Sequence, residues 1–113
     1  MNYMLMEFQD EYCKELKRIY PRAHDIAEAL DYYERNTIYQ NFEVSAMWAI
    51  SRLVNHTDNF KLYDKIREKY PDCLDRHIAT LVRNSIKHCY GHSIVDLLYI
   101  YRNTDYHSLE LFN

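Results

Sequence analysis

Residues 72–102 read DCLDRHIATLVRNSIKHCYGHSIVDLLYIYR, and this stretch decides the fold class. A helix advances about 100° per residue, so Leu74, Ile78, Leu81, Val82 and Cys89 fall on one apolar face of a helix over 72–90. Charged and polar residues fill the opposite side, with Arg76, Arg83, Asn84 and Lys87 along one stripe. Gly91 ends that helix, because glycine adopts the left-handed backbone that closes a helical C-terminus. Ser93 then caps a second helix over 93–102, its hydroxyl placed to accept an otherwise orphaned backbone N–H. Two helices joined at a glycine, with no alternating pattern between them, predict an all-α chain.

Working outward, the same periodicity gives four more helices. The first covers 4–20, with Leu5, Phe8, Tyr12, Leu16 and Ile19 on one stripe. Its acids come early and Lys14, Lys17 and Arg18 come late, as the helix dipole favours. Pro21 opens a second helix over 22–36, since proline suits the first helical turn. Ile26, Leu30 and Tyr33 line its inner face, beside Ala23 and Ala27. Thr37-Ile38-Tyr39-Gln40 has the form of a capping box and opens a third helix over 38–54. Phe42, Ala46, Ala49, Ile50 and Leu53 share one face of it, and Val44 and Trp48 lie opposite. A helix apolar nearly all round is predicted to be central. Asn55 to Asn59 is a polar break, and a fourth helix over 58–69 turns Phe60, Tyr63 and Ile66 inward until Tyr70-Pro71 stops it. Residues 103–113 form a tail, polar at first and then apolar at Leu109, Leu111 and Phe112.

The expectation is therefore a compact bundle of about six helices in one domain over 1–113. The punctuation also recurs. Tyr20-Pro21 and Tyr70-Pro71 lie at an offset that also matches Leu16 with Ile66, Lys17 with Arg67, and Asp25 with Asp75. That order suggests a degenerate tandem of two three-helix units.

Composition narrows function by exclusion. The chain has 113 residues, 48% hydrophobic, with 12 Tyr but 1 Gly and 2 Pro. One glycine cannot build the Gly-rich loops that cradle phosphates. The formal net charge of -3 gives no global attraction to nucleic acid. No run approaches the roughly 18 apolar residues of a membrane span. The first residues lack the basic start of a signal peptide. These features predict a cytoplasmic protein that spans no membrane. Cys13, Cys73 and Cys89 are odd in number and lack CxxC spacing, which reads as three free thiols. Residues with AT-rich codons (Phe, Tyr, Met, Ile, Asn, Lys) number 43, against 17 for Gly, Ala, Arg and Pro. That bias suits a phage or mobile-element gene.

Neither metal nor catalytic chemistry assembles from the pattern. Cys73 and His77 lie one helical turn apart, but Cys89 and His92 sit at the other end of the same helix, roughly 20 Å away at about 1.5 Å per residue. No metal, cofactor-binding or catalytic residue is assigned, and the chain reads as a non-enzyme. Ile86 to Ile100 (IKHCYGHSIVDLLYI) resembles a helix-turn-helix, with Gly91 as the turn glycine and Ser93 opening the second helix. A recognition helix presents donors to base edges from its first turns. Here those positions hold Ile94, Val95, Asp96 and Tyr99, so any nucleic-acid contact is assigned instead to Arg76, Arg83, Asn84 and Lys87.

What remains is surplus aromatic surface. Tyr32, Trp48, Tyr99, Tyr106 and Phe112 cannot all enter one small core, and exposed Tyr and Trp are the residues of interface hot spots. The leading expectation is a binding protein for a protein or nucleoprotein partner. A phage or mobile-element accessory protein that inhibits a host defence complex, as anti-CRISPR proteins do, fits this description. The last helix and the tail would make a homodimer contact. The alternative is a small dimeric DNA-binding transcriptional regulator.

Overall fold

The computed structural model describes the backbone of residues 2–35 and 42–103, and the side chains of 6–35, 47–57 and 59–103. Helix α1 spans Asn2–Ile19, α2 Ala23–Arg35, α3 Phe42–His56, α4 Leu62–Lys69, α5 Asp75–Tyr90 and α6 Ile94–Asn103. A single 3-10 turn, Asp58–Phe60, precedes α4. The all-α bundle of about six helices is thus the fold.

The apolar stripes meet in one core. Tyr12 and Leu16 of α1, Ile26 and Leu30 of α2, Ile50 and Leu53 of α3, Ile66 of α4, Ile78, Val82 and Ile86 of α5, and Leu97 of α6 are all buried within it. Helix α5 packs on α1, α3 and α6, while α2 packs on α3 and α6. Helix α3 lies between α2 and α5 and also packs on the Asp58–Phe60 turn. Among its described side chains Ala49, Ile50, Leu53 and Val54 are buried and Trp48 and Arg52 turn to solvent. The proposed tandem survives as punctuation only. Helix α1 has 18 residues and α4 has 8, and α2 and its counterpart α5 have different neighbours.

Boundaries shift where a side chain is drawn inward. The predicted helix over 58–69 is broken at Lys61, which takes the left-handed conformation (φ 53°). This reversal lets Phe60 pack beside Tyr12 at 6.1 Å while Leu62 is buried. The helix expected from Asp72 starts at Asp75, because Cys73 is buried in the turn, its N–H bonded to the Tyr70 carbonyl. Leu74, expected to face inward, is exposed as a result. Gly91 (φ 77°) and Ser93, whose Oγ accepts the Asp96 N–H at 3.2 Å, act as expected. The capping box at Thr37–Gln40, the side chains of Leu5, Phe42, Val44 and Ala46, and the tail with Leu109, Leu111 and Phe112 lie outside the described residues.

The cysteines correct the sequence reading most sharply. Cys13 of α1 and Cys89 of α5 form a disulfide with Cα atoms 5.7 Å apart, and only Cys73, of the three, keeps a free thiol. Packing α5 along α1 brings together positions 76 residues apart, which no local spacing reveals. Nearby, the Tyr90 hydroxyl donates to the Tyr20 carbonyl at 2.6 Å, so the ends of α1 and α5 are held twice. Closing so long a loop restricts the unfolded chain and is worth up to about 4 kcal/mol in the loop-entropy treatment. Thiol titration of the denatured, unreduced protein should find Cys73 alone, and reduction should lower the melting temperature; three titratable thiols would contradict the bridge.

Candidate functional site

The residues assigned from sequence sit on different helices. Tyr32 is on the solvent face of α2, 62% exposed, and meets Tyr33 edge-on at 5.6 Å. Trp48 is on the outer face of α3, with the Arg52 guanidinium 4.6 Å from its ring. Tyr99 is on α6, 68% exposed, one helical turn from the exposed Val95. Helix α6 is thus sharply two-faced: Ile94, Leu97 and Leu98 are buried, and Val95 and Tyr99 are not. Tyr106 and Phe112 fall outside the described residues. Arg76, Arg83, Asn84 and Lys87 are all exposed on α5.

What aims α6 is a charged clasp that the sequence reading missed. The Asp31 carboxylate, nearly buried, accepts from Arg35 Nε at 2.9 Å on its own helix and from Arg102 Nε at 2.6 Å on α6. Arg102 also pairs with Glu34. Burial works against the Arg102 charge, but the hydrogen bonds to Asp31 and Glu34 outweigh it and raise its pKa. Asp31 and Arg35 stand at i, i+4 and were legible as a helical pair. Arg102 was not, because its partners lie far back in the chain.

Beside this clasp lies a surface cleft of about 430 Å³, lined by Tyr20, Asp25, Glu28, Tyr32, Tyr33 and Tyr101 among others. Three of its tyrosines are weak acids made weaker. Burial pushes Tyr20 up to about 12 and also raises Tyr33 and Tyr101. At neutral pH they are hydrogen-bond donors and ring faces, not bases. Such a lining offers hydroxyl donors and ring faces to whatever enters it. A second cleft of about 540 Å³, between α1 and α4, is flanked by Glu7, Phe8, Glu11, Lys65 and Lys69. Its charges bond to one another, Lys69 to Glu7 and Lys65 to Glu11 at 3.8 Å, with the Tyr70 hydroxyl also donating to Glu7.

The cysteine and histidine residues considered for metal are otherwise engaged. His77 Nδ1 accepts the Leu74 N–H at 3.2 Å, and Cys89 is bonded to Cys13. Among the described residues no group of three or more His, Cys, Asp or Glu side chains is arranged to hold a metal ion. No helix of the described residues is long and apolar enough to cross a membrane. Neither a family model, nor a curated protein, nor a solved structure matches the chain.

Two predictions follow from these ion pairs. Arg102→Ala leaves Asp31 with Arg35 alone and frees the end of α6. It should lower stability by about 1–2 kcal/mol, the discount reflecting partial exposure of Arg102. It should also speed amide exchange within 94–103; unchanged exchange there would show that the clasp does not hold α6. At Glu7, the hydrogen bonds from Lys69 and Tyr70 depress the carboxyl below its ordinary 4.5. The resulting stabilisation is present above 4.5 and is lost as pH falls through the depressed value. Glu7→Gln should therefore melt below wild type at neutral pH, and the two melting curves should converge in acid.

Proposed function

We propose that this protein is a non-enzymatic binding protein that recognises a protein or nucleoprotein partner through exposed aromatic side chains. The observation that carries this reading is the outer face of α6. Val95 and Tyr99 stand exposed one turn apart on a helix whose other face is fully used in the core. Apolar side chains held rigidly in water gain about 25 cal/mol per Å² when covered. Tyrosine adds a hydroxyl that stays satisfied in either state. The Tyr32 cleft and Trp48 extend the aromatic surface onto α2 and α3.

Self-association is the simplest use of the α6 face, because closed dimers are the commonest assemblies. A small chain rich in residues with AT-rich codons and carrying exposed aromatics suits a phage or mobile-element accessory protein that blocks a host defence complex, in the manner of anti-CRISPR proteins. Two measurements separate these roles. Light scattering at high micromolar concentration should give twice the 13.8 kDa chain mass for a dimer, falling to the monomer in Tyr99→Glu. Affinity capture from the host should yield one complex that is lost in Tyr99→Glu or Trp48→Ala at unchanged melting temperature. A monomer that captures the same proteins with and without these side chains would refute the reading.

A further inference from the structure

Charge in this fold is sorted by helix. Arg18 pairs with Glu15, Arg22 with Asp25, Arg35 with Asp31, Arg67 with Asp75, and Arg102 with Asp31 and Glu34. The remaining arginines, Arg52 of α3 and Arg76 and Arg83 of α5, meet no carboxylate among the described residues. Arg52 lies over the Trp48 ring instead, and Arg83 Nη2 donates to the Met47 thioether at 2.8 Å, a weak acceptor. The cause is in the chain. Residues 44–57 and 76–95 contain no Asp or Glu at all, so the paired helices α3 and α5 have almost no acid to offer their own cations.

The cations of α5 share one surface. At about 100° per residue, Arg76, Arg83 and Lys87 fall within roughly 40° of one another, a narrow stripe along α5. The Arg83–Met47 contact places the stripe on the flank of α5 that faces α3. His88, which meets Asp10 of α1 at 3.6 Å, marks the other flank. Met47 adjoins Trp48 in α3, and Trp48 carries Arg52. Arg76, Arg83 and Lys87 therefore form a cationic stripe along α5 bordered by Met47 of α3, whereas Arg52, about 140° round α3 from Met47, lies on the flank toward Tyr33 of α2.

We propose that this α3–α5 face binds the phosphate backbone of double-stranded nucleic acid. The proposal rests on reading the chain as a binding protein and gives a partner class to a surface apart from Tyr99. The chemistry discriminates between polyanions. Protein interfaces are enriched in Arg, Met and aromatic residues but depleted of Lys, so what points to a polyanion here is three cations, Lys87 among them, in line along α5 and paired with no carboxylate among the described residues. From Arg76 to Lys87 the stripe runs about 16 Å at 1.5 Å per residue, close to five base-pair rises of about 3.4 Å. Asn84, exposed beside it, adds a neutral hydrogen-bond donor of the kind that contacts phosphate oxygens. The set holds guanidinium and ammonium donors spaced to contact phosphate oxygens, so the binding proposed is to the backbone.

The test is fluorescence anisotropy of the full chain with a labelled duplex DNA of about 20 base pairs, from about 50 to 200 mM salt. Saturable binding is expected, with log K falling against log salt at a slope of about -2 to -4, or about -0.9 for each phosphate neutralised. Arg83→Glu with Lys87→Glu should weaken binding at least about tenfold and flatten the slope by about 2. Arg18→Glu with Arg22→Glu, an equal change in net charge on another surface, should leave binding intact. No binding at low salt by a folded wild type would overturn the proposal, as would equal losses in the two double variants. Displacement by polyglutamate at matched charge would overturn it in favour of an acidic protein partner. Tyr99→Glu should keep DNA affinity while losing captured protein, so failure of either proposal leaves the other standing.

Discussion

The packing of α5 along α1 is the constraint on which the rest of the structure depends. Tyr12 and Leu16 from one helix and Ile78, Val82 and Ile86 from the other bury the largest apolar stripes the chain possesses. The disulfide between Cys13 and Cys89 and the Tyr90–Tyr20 hydrogen bond lie at the same end of this pair. Once α1 occupies one flank of α5, the other flank is left for α3. Helix α2 then meets α3 on one side and α6 on the other. The exposed faces of α2, α3 and α6 are what this order leaves over, and the aromatic and cationic surfaces occupy them.

Helix number and most helix faces were legible because each helix is amphipathic at the 3.6-residue period, and because the breaks are marked by residues with defined backbone preferences. Pro21, Tyr70-Pro71, Gly91 and Ser93 all stand where the chain turns. The errors have a common origin in tertiary demand. Lys61 adopts a conformation that lysine does not favour so that Leu62 is buried while Phe60 packs partly buried beside Tyr12. Leu74 is exposed because Cys73, its neighbour, is turned inward. Neither choice has a local signature. The Cys13–Cys89 bridge and the Arg102 clasp are of the same kind, each joining residues about 70 positions apart.

Aromatic surplus was legible as a total but not as a location. Many of the tyrosines sit at the edge of the core, where Tyr20, Tyr33, Tyr63, Tyr70 and Tyr101 pack partly buried against it. The Tyr70 hydroxyl, for one, donates to the Glu7 carboxylate, and partial burial with the polar end outward is how a small bundle accommodates so many tyrosines. Tyr12 is the extreme case, wholly buried, and burial pushes its hydroxyl pKa far up. The residues left fully outside are few, and Tyr32, Trp48 and Tyr99 are among them.

The net charge of -3 conceals a sharper fact than it states. An average near neutrality normally means acids and bases interspersed, each base neutralised by a neighbour. Here carboxylates of α1 and α2 pair with Arg18, Arg22, Arg35, Lys65, Lys69 and Arg102, and Asp75 pairs with Arg67. Among the described residues Arg76, Arg83 and Lys87 of α5 meet no carboxylate. A field that cancels at long range thus persists within about a Debye length of one face, roughly 8–10 Å at ordinary ionic strength. If the α5 stripe takes a polyanion as proposed, the net negative charge of the rest of the chain would favour approach from that side.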